Sequence, residues 1–236
     1  MTRFGNPGKL AVLAAGAMLA FGSTAANALL VDGFGDDQGP VTAEGLSGGA
    51  SIPSIADTIS LTDTELTNAT RTLSTLLLQS NSALAQVSMF VDSSILSYAQ
   101  TPNTQGNGTV SYAFDPVSMT GLDLVITVLF SDRGGSLDVT LSDVSNSSTQ
   151  TIVLPEVFTS QDFVLSLASF GGVNLAAVTG LDVLIEGQFT SALDLQIDLV
   201  EAVPTPLPLG LIGIGLGAMS FVSWRRGAKN RQLAVR

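Results

Sequence analysis

The stretch ALDLQIDLVEA, residues 192–202, restricts the fold of this chain more than any other segment. Leu193, Leu195, Ile197 and Leu199 alternate with Asp194, Gln196 and Asp198. That period of two turns successive side chains to opposite faces of a strand, one apolar and one wet. The same phase recurs in GLDLVITVLF, with Leu122, Leu124, Ile126 and Val128 on one side. It returns in SLDVTLSD (Leu137, Val139, Leu141) and in GLDVLIEGQF, residues 180–189. Between these runs lie turn signals: Asp132-Arg133-Gly134-Gly135, Gln105-Gly106-Asn107-Gly108, Ser145-Asn146-Ser147-Ser148 and Gly171-Gly172. Weaker runs near 84–91, 94–99, 109–115, 151–155 and 161–167 bring the total to about ten strands at short spacing. Nothing resembles a βαβ alternation, so the expected fold is all-β, an antiparallel β-sandwich of jelly-roll-like kind. Asn174–Thr179 (NLAAVT) is expected to form one helical turn, and Gly39–Ser60, rich in Gly, Ser, Pro and Ala, a long surface loop.

Charge narrows the partners. All twenty Asp and Glu lie between Asp32 and Glu201, and only Arg71 and Arg133 accompany them there. Such a body repels phosphate polymers and anionic head groups, which argues against nucleic acid as a partner. The chain has no cysteine and no histidine. Ser-His-Asp and Cys-His machinery, thiolate nucleophiles and imidazole or thiolate metal sites are therefore excluded. Lysine is absent between residues 10 and 228, which also removes Ser-Lys dyads and Schiff bases.

Carboxylate chemistry survives this elimination. A pair of acids could serve a glycosidase, but most of the acids fall on the wet side of alternating strands. The aromatic platforms of a sugar cleft are scarce: Trp224 is the one tryptophan, and Tyr98 and Tyr112 are the two tyrosines. No catalytic residue is assigned. Asp32, Asp36 and Asp37, in LVDGFGDDQG, form the densest acidic cluster. Hard oxygen ligands around a glycine-rich turn make it the candidate calcium site, against the plainer reading of a solvated turn.

The two ends carry addresses. Arg3 and Lys9 precede a twelve-residue apolar run, Leu10–Phe21, and Ala26-Asn27-Ala28 supplies the small-x-small pattern of a signal-peptidase site. In this order the parts read as a secretory signal peptide over residues 1–28. At the other end, residues 207–224 are eighteen positions without a charge. As a helix they would extend about 27 Å, enough for a bilayer core. Trp224 suits the interface, and Arg225 and Arg226 follow as a cytoplasmic stop. The expected organisation is a signal helix (1–28), a β-sandwich ectodomain (29–202) and a C-terminal segment (203–236) containing a transmembrane helix.

The order Val203-Pro204-Thr205-Pro206, glycine-rich apolar helix, basic terminus closely resembles the PEP-CTERM sorting signal of bacterial proteins handled by exosortases. Pro204 and Pro206 match the motif prolines, and Arg225 and Arg226 the basic stop; Thr205 stands where Glu is usual. The resemblance implies a precursor held transiently in the inner membrane and cut near the motif by an exosortase-type enzyme. The body would then be released to the cell surface or extracellular matrix. LLVDGFGDDQGPV and ALDLQIDLVEAVP also resemble the first and last strands of small sandwich domains attached to this signal. The function expected is structural or adhesive, with no cofactor unless calcium binds. The alternative is a calcium-assisted module for extracellular polysaccharide, and a carboxylate glycosidase comes third. The export reading predicts that intact-mass measurement of the exported protein finds a chain beginning at Leu29; a chain retaining Leu10–Phe21 would overturn it.

Overall fold

The computed structural model describes residues 27–45, 50–187 and 192–205. The signal run, Ala26, Pro206, residues 207–224, Arg225 and Arg226 lie outside the described residues. Among the described residues no helix is long and apolar enough to cross a membrane. The one helical element there is a 3-10 turn, Leu167–Ser169.

Two seven-stranded sheets, all of whose strand pairs are antiparallel, face each other. The first contains β1 (Leu29–Asp32), β2 (Gln38–Glu44), β6 (Gln86–Asp92), β7 (Ile95–Gln100), β9 (Leu122–Ser131), β12 (Gln161–Ser166) and β14 (Asp194–Pro204). Its order is β12-β9-β14-β7-β6-β2, with β1 added against β14. The second contains β3 (Ile52–Pro53), β4 (Asp57–Ser60), β5 (Thr70–Ser80), β8 (Thr104–Val117), β10 (Gly135–Asp143), β11 (Ser147–Leu154) and β13 (Val178–Glu186). Its order is β11-β10-β13-β8-β5-β3, with β4 against β5. The chain crosses between sheets repeatedly, so the core is closed by contacts distant in sequence.

The alternating residues fill that core. Leu122, Leu124, Ile126 and Val128 are buried, as are Leu137, Val139 and Leu141. Into β14 the phase runs from Leu193 through Leu195 and Ile197, then changes. Against β9 one register shift skips Leu129 and the next skips Asp198, so Val200 and Ala202 turn inward instead of Leu199.

Other expectations are corrected. Gly39–Ser60 is not one loop, since β2, β3 and β4 lie largely within it. Val41 and Ala43 supply β2 with a buried face, and Pro40 is tolerated because β2 is the edge of its sheet. Gln105–Gly108 is not a turn but part of β8. A Cβ on Gly106 would meet Val87 Cγ2 at 2.2 Å, and one on Gly108 would meet the Tyr98 ring at 2.7 Å. These glycines let the sheets close up, and the Tyr98 hydroxyl donates to the Gly106 carbonyl at 2.9 Å. Asn174–Thr179 forms no helix: Ala177 N–H returns to the Asn174 carbonyl in a tight turn, and β13 starts at Val178.

Strand β5 escapes the alternation rule as read from apolar residues because its inward positions begin with Arg71, followed by Leu73, Thr75 and Leu77. Arg71 is 0% exposed. Its Nη1 donates to Asp32 Oδ2 at 2.7 Å, its Nε to Gln38 Oε1 at 2.9 Å, and its Nη2 to the Asp36 carbonyl. The guanidinium also lies 5.5 Å from the centroid of the Phe34 ring. Burial pushes the Asp32 carboxyl up; the Arg71 charge and the Phe34 N–H, at 2.7 Å, oppose it. Removing one partner of a buried ion pair strands the other without water. Arg71→Met is therefore expected to lower stability by about 3–5 kcal/mol, read from urea unfolding at neutral pH; a loss below about 1 kcal/mol would show that the pair does not organise this end.

Candidate functional site

The three aspartates of the candidate calcium cluster are not brought together. Asp32 faces inward to Arg71. Asp36 accepts from the Thr62 hydroxyl at 2.6 Å and the Asp63 N–H at 2.9 Å. Asp37 accepts from the Ser93 N–H at 3.2 Å. Each carboxylate is committed to a protein donor, and among the described residues no group of three or more acids is placed to hold a metal ion. Gly33 and Gly35 serve close approach here, because a Cβ on either would lie within 2.6 Å of Asp63 Oδ2. Between them Phe34 takes a left-handed φ of 54°, a strained turn held by its N–H bond to Asp32.

The sorting motif is partly strand. Val203 and Pro204 end β14, paired with Asp123 and Leu122. Thr205 donates its N–H to the Gly121 carbonyl at 3.0 Å and its hydroxyl to Asp123 Oδ1 at 3.2 Å. Leu29 pairs with Ala202, so the chain enters and leaves the sandwich side by side, with Ala28 exposed just before entry.

The outer faces of the two sheets differ in kind. The second sheet carries a hydroxyl ladder, with Thr140 Oγ1 at 2.7 Å from Thr149 Oγ1 and Thr58 Oγ1 at 2.8 Å from Thr72 Oγ1. The first carries aromatic rings. Register aligns Phe90 of β6 with Ser97 of β7, Ser97 with Gln196 of β14, and Gln196 with Phe130 of β9. Phe158 extends the row: its ring centroid lies 6.2 Å from that of Phe130 at 65°, an edge-on contact, and it is 68% exposed. A two-way backbone bridge between Ser131 and Val157, both bonds 2.8 Å, holds Phe158 in position.

Polar groups flank the rings. Asp194 N–H donates to Asp132 Oδ1 at 2.8 Å; partial burial, then the neighbouring Asp132 charge, push the Asp194 carboxyl up. On the other side Thr127 Oγ1 donates to Asp162 Oδ1 at 2.8 Å. Rings for apolar contact, an amide and carboxylates together form a surface suited to a polyhydroxylated ligand. The sequence reading missed it by weighing only Trp and Tyr. Tyr98 and Tyr112 are buried, and Phe90 sits out of phase with the buried Val87, Met89 and Val91. Phe130 shares the sequence phase of Leu122–Val128 but is turned outward by the register shift that skips Leu129 against β14. The out-of-phase placement of Phe90 was the available signal; alternation alone puts Phe130 on the inward side.

No protein-family model and no curated protein matches the chain. Among solved structures it is similar to the family 11 carbohydrate-binding module of a cellulosomal cellulase of Clostridium thermocellum. That likeness has a TM-score of 0.41 and 10% identity over 77% of this chain and 97% of that one. The same module in complex with a β-1,3-1,4-mixed-linked tetrasaccharide gives 0.41 and 10%, over 77% and 98%. A non-crystalline cellulose specific module, CBM28, gives 0.37 and 11%, over 56% and 82%. Superpositions at this level identify no ligand for this chain.

Asp36 and Asp143 make the loops around the sandwich acid-sensitive. Burial acts to raise Asp36, but the Thr62 and Asp63 donors outweigh it and hold the carboxyl below its ordinary value. Asp143 is held low by the N–H groups of Asn174, Ser145 and Asn146. A depressed carboxyl contributes stability that is complete above its unfolded value, about pH 4, and is lost as pH falls through the folded value. Asp36→Asn is expected to lower the melting temperature by a few degrees at pH 7 and to flatten the fall on acidification below about pH 4. An unchanged acid limb in thermal melts would refute the assignment.

Proposed function

We propose that this domain is a non-catalytic module that binds neutral polysaccharide across the outer face of its first sheet. The observation that carries the reading is the row Phe90–Ser97–Gln196–Phe130 with Phe158 at its end. A pyranose ring offers an apolar C–H face to an aromatic side chain and hydroxyls to amide and carboxylate groups beside it. An anionic polymer fits poorly, because the flanking charges are Asp132, Asp194 and Asp162. Calcium is not carried into this reading, since Asp32, Asp36 and Asp37 are each engaged by protein donors.

Export and sorting complete the proposal. The precursor is secreted, anchored by residues 207–224 and processed near Pro204–Pro206 by an exosortase-type enzyme, which delivers the module to the cell surface or matrix. The side-by-side entry and exit at Leu29 and Ala202 support it, because both processing sites then lie at one end of the sandwich. Intact mass of the exported protein tests this part, and retention of residues through Arg236 would refute C-terminal processing.

Binding is tested by calorimetry against soluble neutral polysaccharides (mixed-linkage glucan, xylan and galactan). Phe158→Ala is expected to weaken binding about tenfold, the equivalent of about 1.4 kcal/mol. Val153→Ala, on the exposed face of β11, is expected to leave it unchanged. The reading fails if no neutral polysaccharide binds, or if binding is indifferent to Phe158→Ala and Phe130→Ala alike.

A further inference from the structure

The entry of the chain into β1 is clamped by one carboxylate. Leu30 N–H donates to Glu65 Oε2 at 3.0 Å, and Glu65 N–H returns to the Leu30 carbonyl at 3.0 Å. The Thr64 hydroxyl adds a bond to the Val31 carbonyl at 2.7 Å. Beside this clamp lies a cleft of about 580 Å3 lined by Asn27, Ala28, Leu29, Glu65, Thr120 and Leu122, among others. Asn27 and Ala28, the residues that signal removal would take away, are exposed.

We propose that Glu65 and this cleft are the receptor for the chain's own α-ammonium group, generated at Leu29 when the signal peptide is removed after Ala28. The inference rests on the export reading of Ala26-Asn27-Ala28. Successive backbone nitrogens are about 3.6 Å apart at most, so the Leu29 nitrogen lies within about 7 Å of Glu65 Oε2. Side-chain adjustment at Glu65 brings the pair into direct contact range. The other ionisable groups around the site are also acids: Glu201 is paired with Leu30 across β14, and Asp123, next to Leu122, is bonded to Thr205. No Lys or Arg lines the cleft among the described residues; Arg71 is spent on Asp32, and Arg133 lies between β9 and β10. In the precursor this position is a neutral peptide bond. Cleavage thus places a cation where the fold has gathered carboxylates, and maturation tightens the strand paired with the end of β14.

The sign follows from linkage. A neighbouring carboxylate raises the α-amino pKa above its ordinary value of about 7.7–8.0. The stabilisation is therefore full below about pH 7.7 and is lost as pH rises through the elevated folded value. The test uses the chain Leu29–Arg236 released from an N-terminal fusion into detergent, with the α-amine free or acetylated, each with Glu65 or Glu65→Gln. Glutamine keeps an oxygen for the Leu30 N–H and removes only the charge. Titration of the α-amine by NMR is expected to show a value raised by about half a pH unit or more, returning to the ordinary value in Glu65→Gln. In melts from pH 6 to 10, acetylation and Glu65→Gln are expected to lower stability below pH 8 non-additively. An α-amine that titrates at its ordinary value, or strictly additive effects, overturns the proposal. Because these chains begin at Leu29 however the cell processes the precursor, that failure is separate from finding cleavage elsewhere by intact mass.

Discussion

The buried pair of Arg71 and Asp32 is the interaction on which this end of the sandwich depends. One guanidinium collects a side-chain carboxylate, the Gln38 amide and the Asp36 carbonyl, all from the segment that links β1 to β2. The strands it joins lie in the first sheet, β1 against β14 and β2 against β6. Arg71 itself belongs to the second sheet. The pair therefore fastens the two sheets at a place where apolar packing gives way to turns. An unpaired charge there would cost several kcal/mol, so the geometry is strongly enforced.

At the other end of β8 the same fastening is done by absence of side chains. Gly106 and Gly108 allow Val87, Met89 and Tyr98 to press against the backbone, and the Tyr98 hydroxyl finds the Gly106 carbonyl and Gln100 Oε1. With β6 and β7 held inward by Val87, Met89, Leu96 and Tyr98, their alternate residues Phe90 and Ser97 must face outward. The β14 bulge matters for the same reason. It switches Val200 and Ala202 inward by skipping Asp198, and a matching shift that skips Leu129 in β9 turns Phe130 outward opposite Gln196. The aromatic row is a consequence of how the core is filled.

Much of the fold was legible in the residues because alternation is a local property. β9, β10, β13 and β14 announce themselves through four or so apolar residues in phase. β5 did not, because its first inward residue is a charged one that becomes acceptable only when Asp32, Gln38 and Asp36 surround it. Gly106 and Gly108 looked like a turn because glycine is ambiguous between a reversal and a close approach, and only the facing sheet decides which. The acidic cluster failed as a group for a related reason: adjacency along the chain did not survive a turn that sends Asp32 inward and Asp36 and Asp37 to different neighbours.

By itself the sequence determined an all-β body, its acidic character, the exclusion of histidine, cysteine and lysine chemistry, and the expectation of an address at each end. These follow from composition and short-range periodicity, which need no knowledge of contacts. Tertiary structure decided which acids stand alone, which phenylalanines share a face, and that the first and last strands lie side by side. Those are relations between residues as far apart as Leu29 and Ala202 or Phe90 and Phe130. Register between strands is set by the whole packed core, so no stretch of sequence could carry it alone.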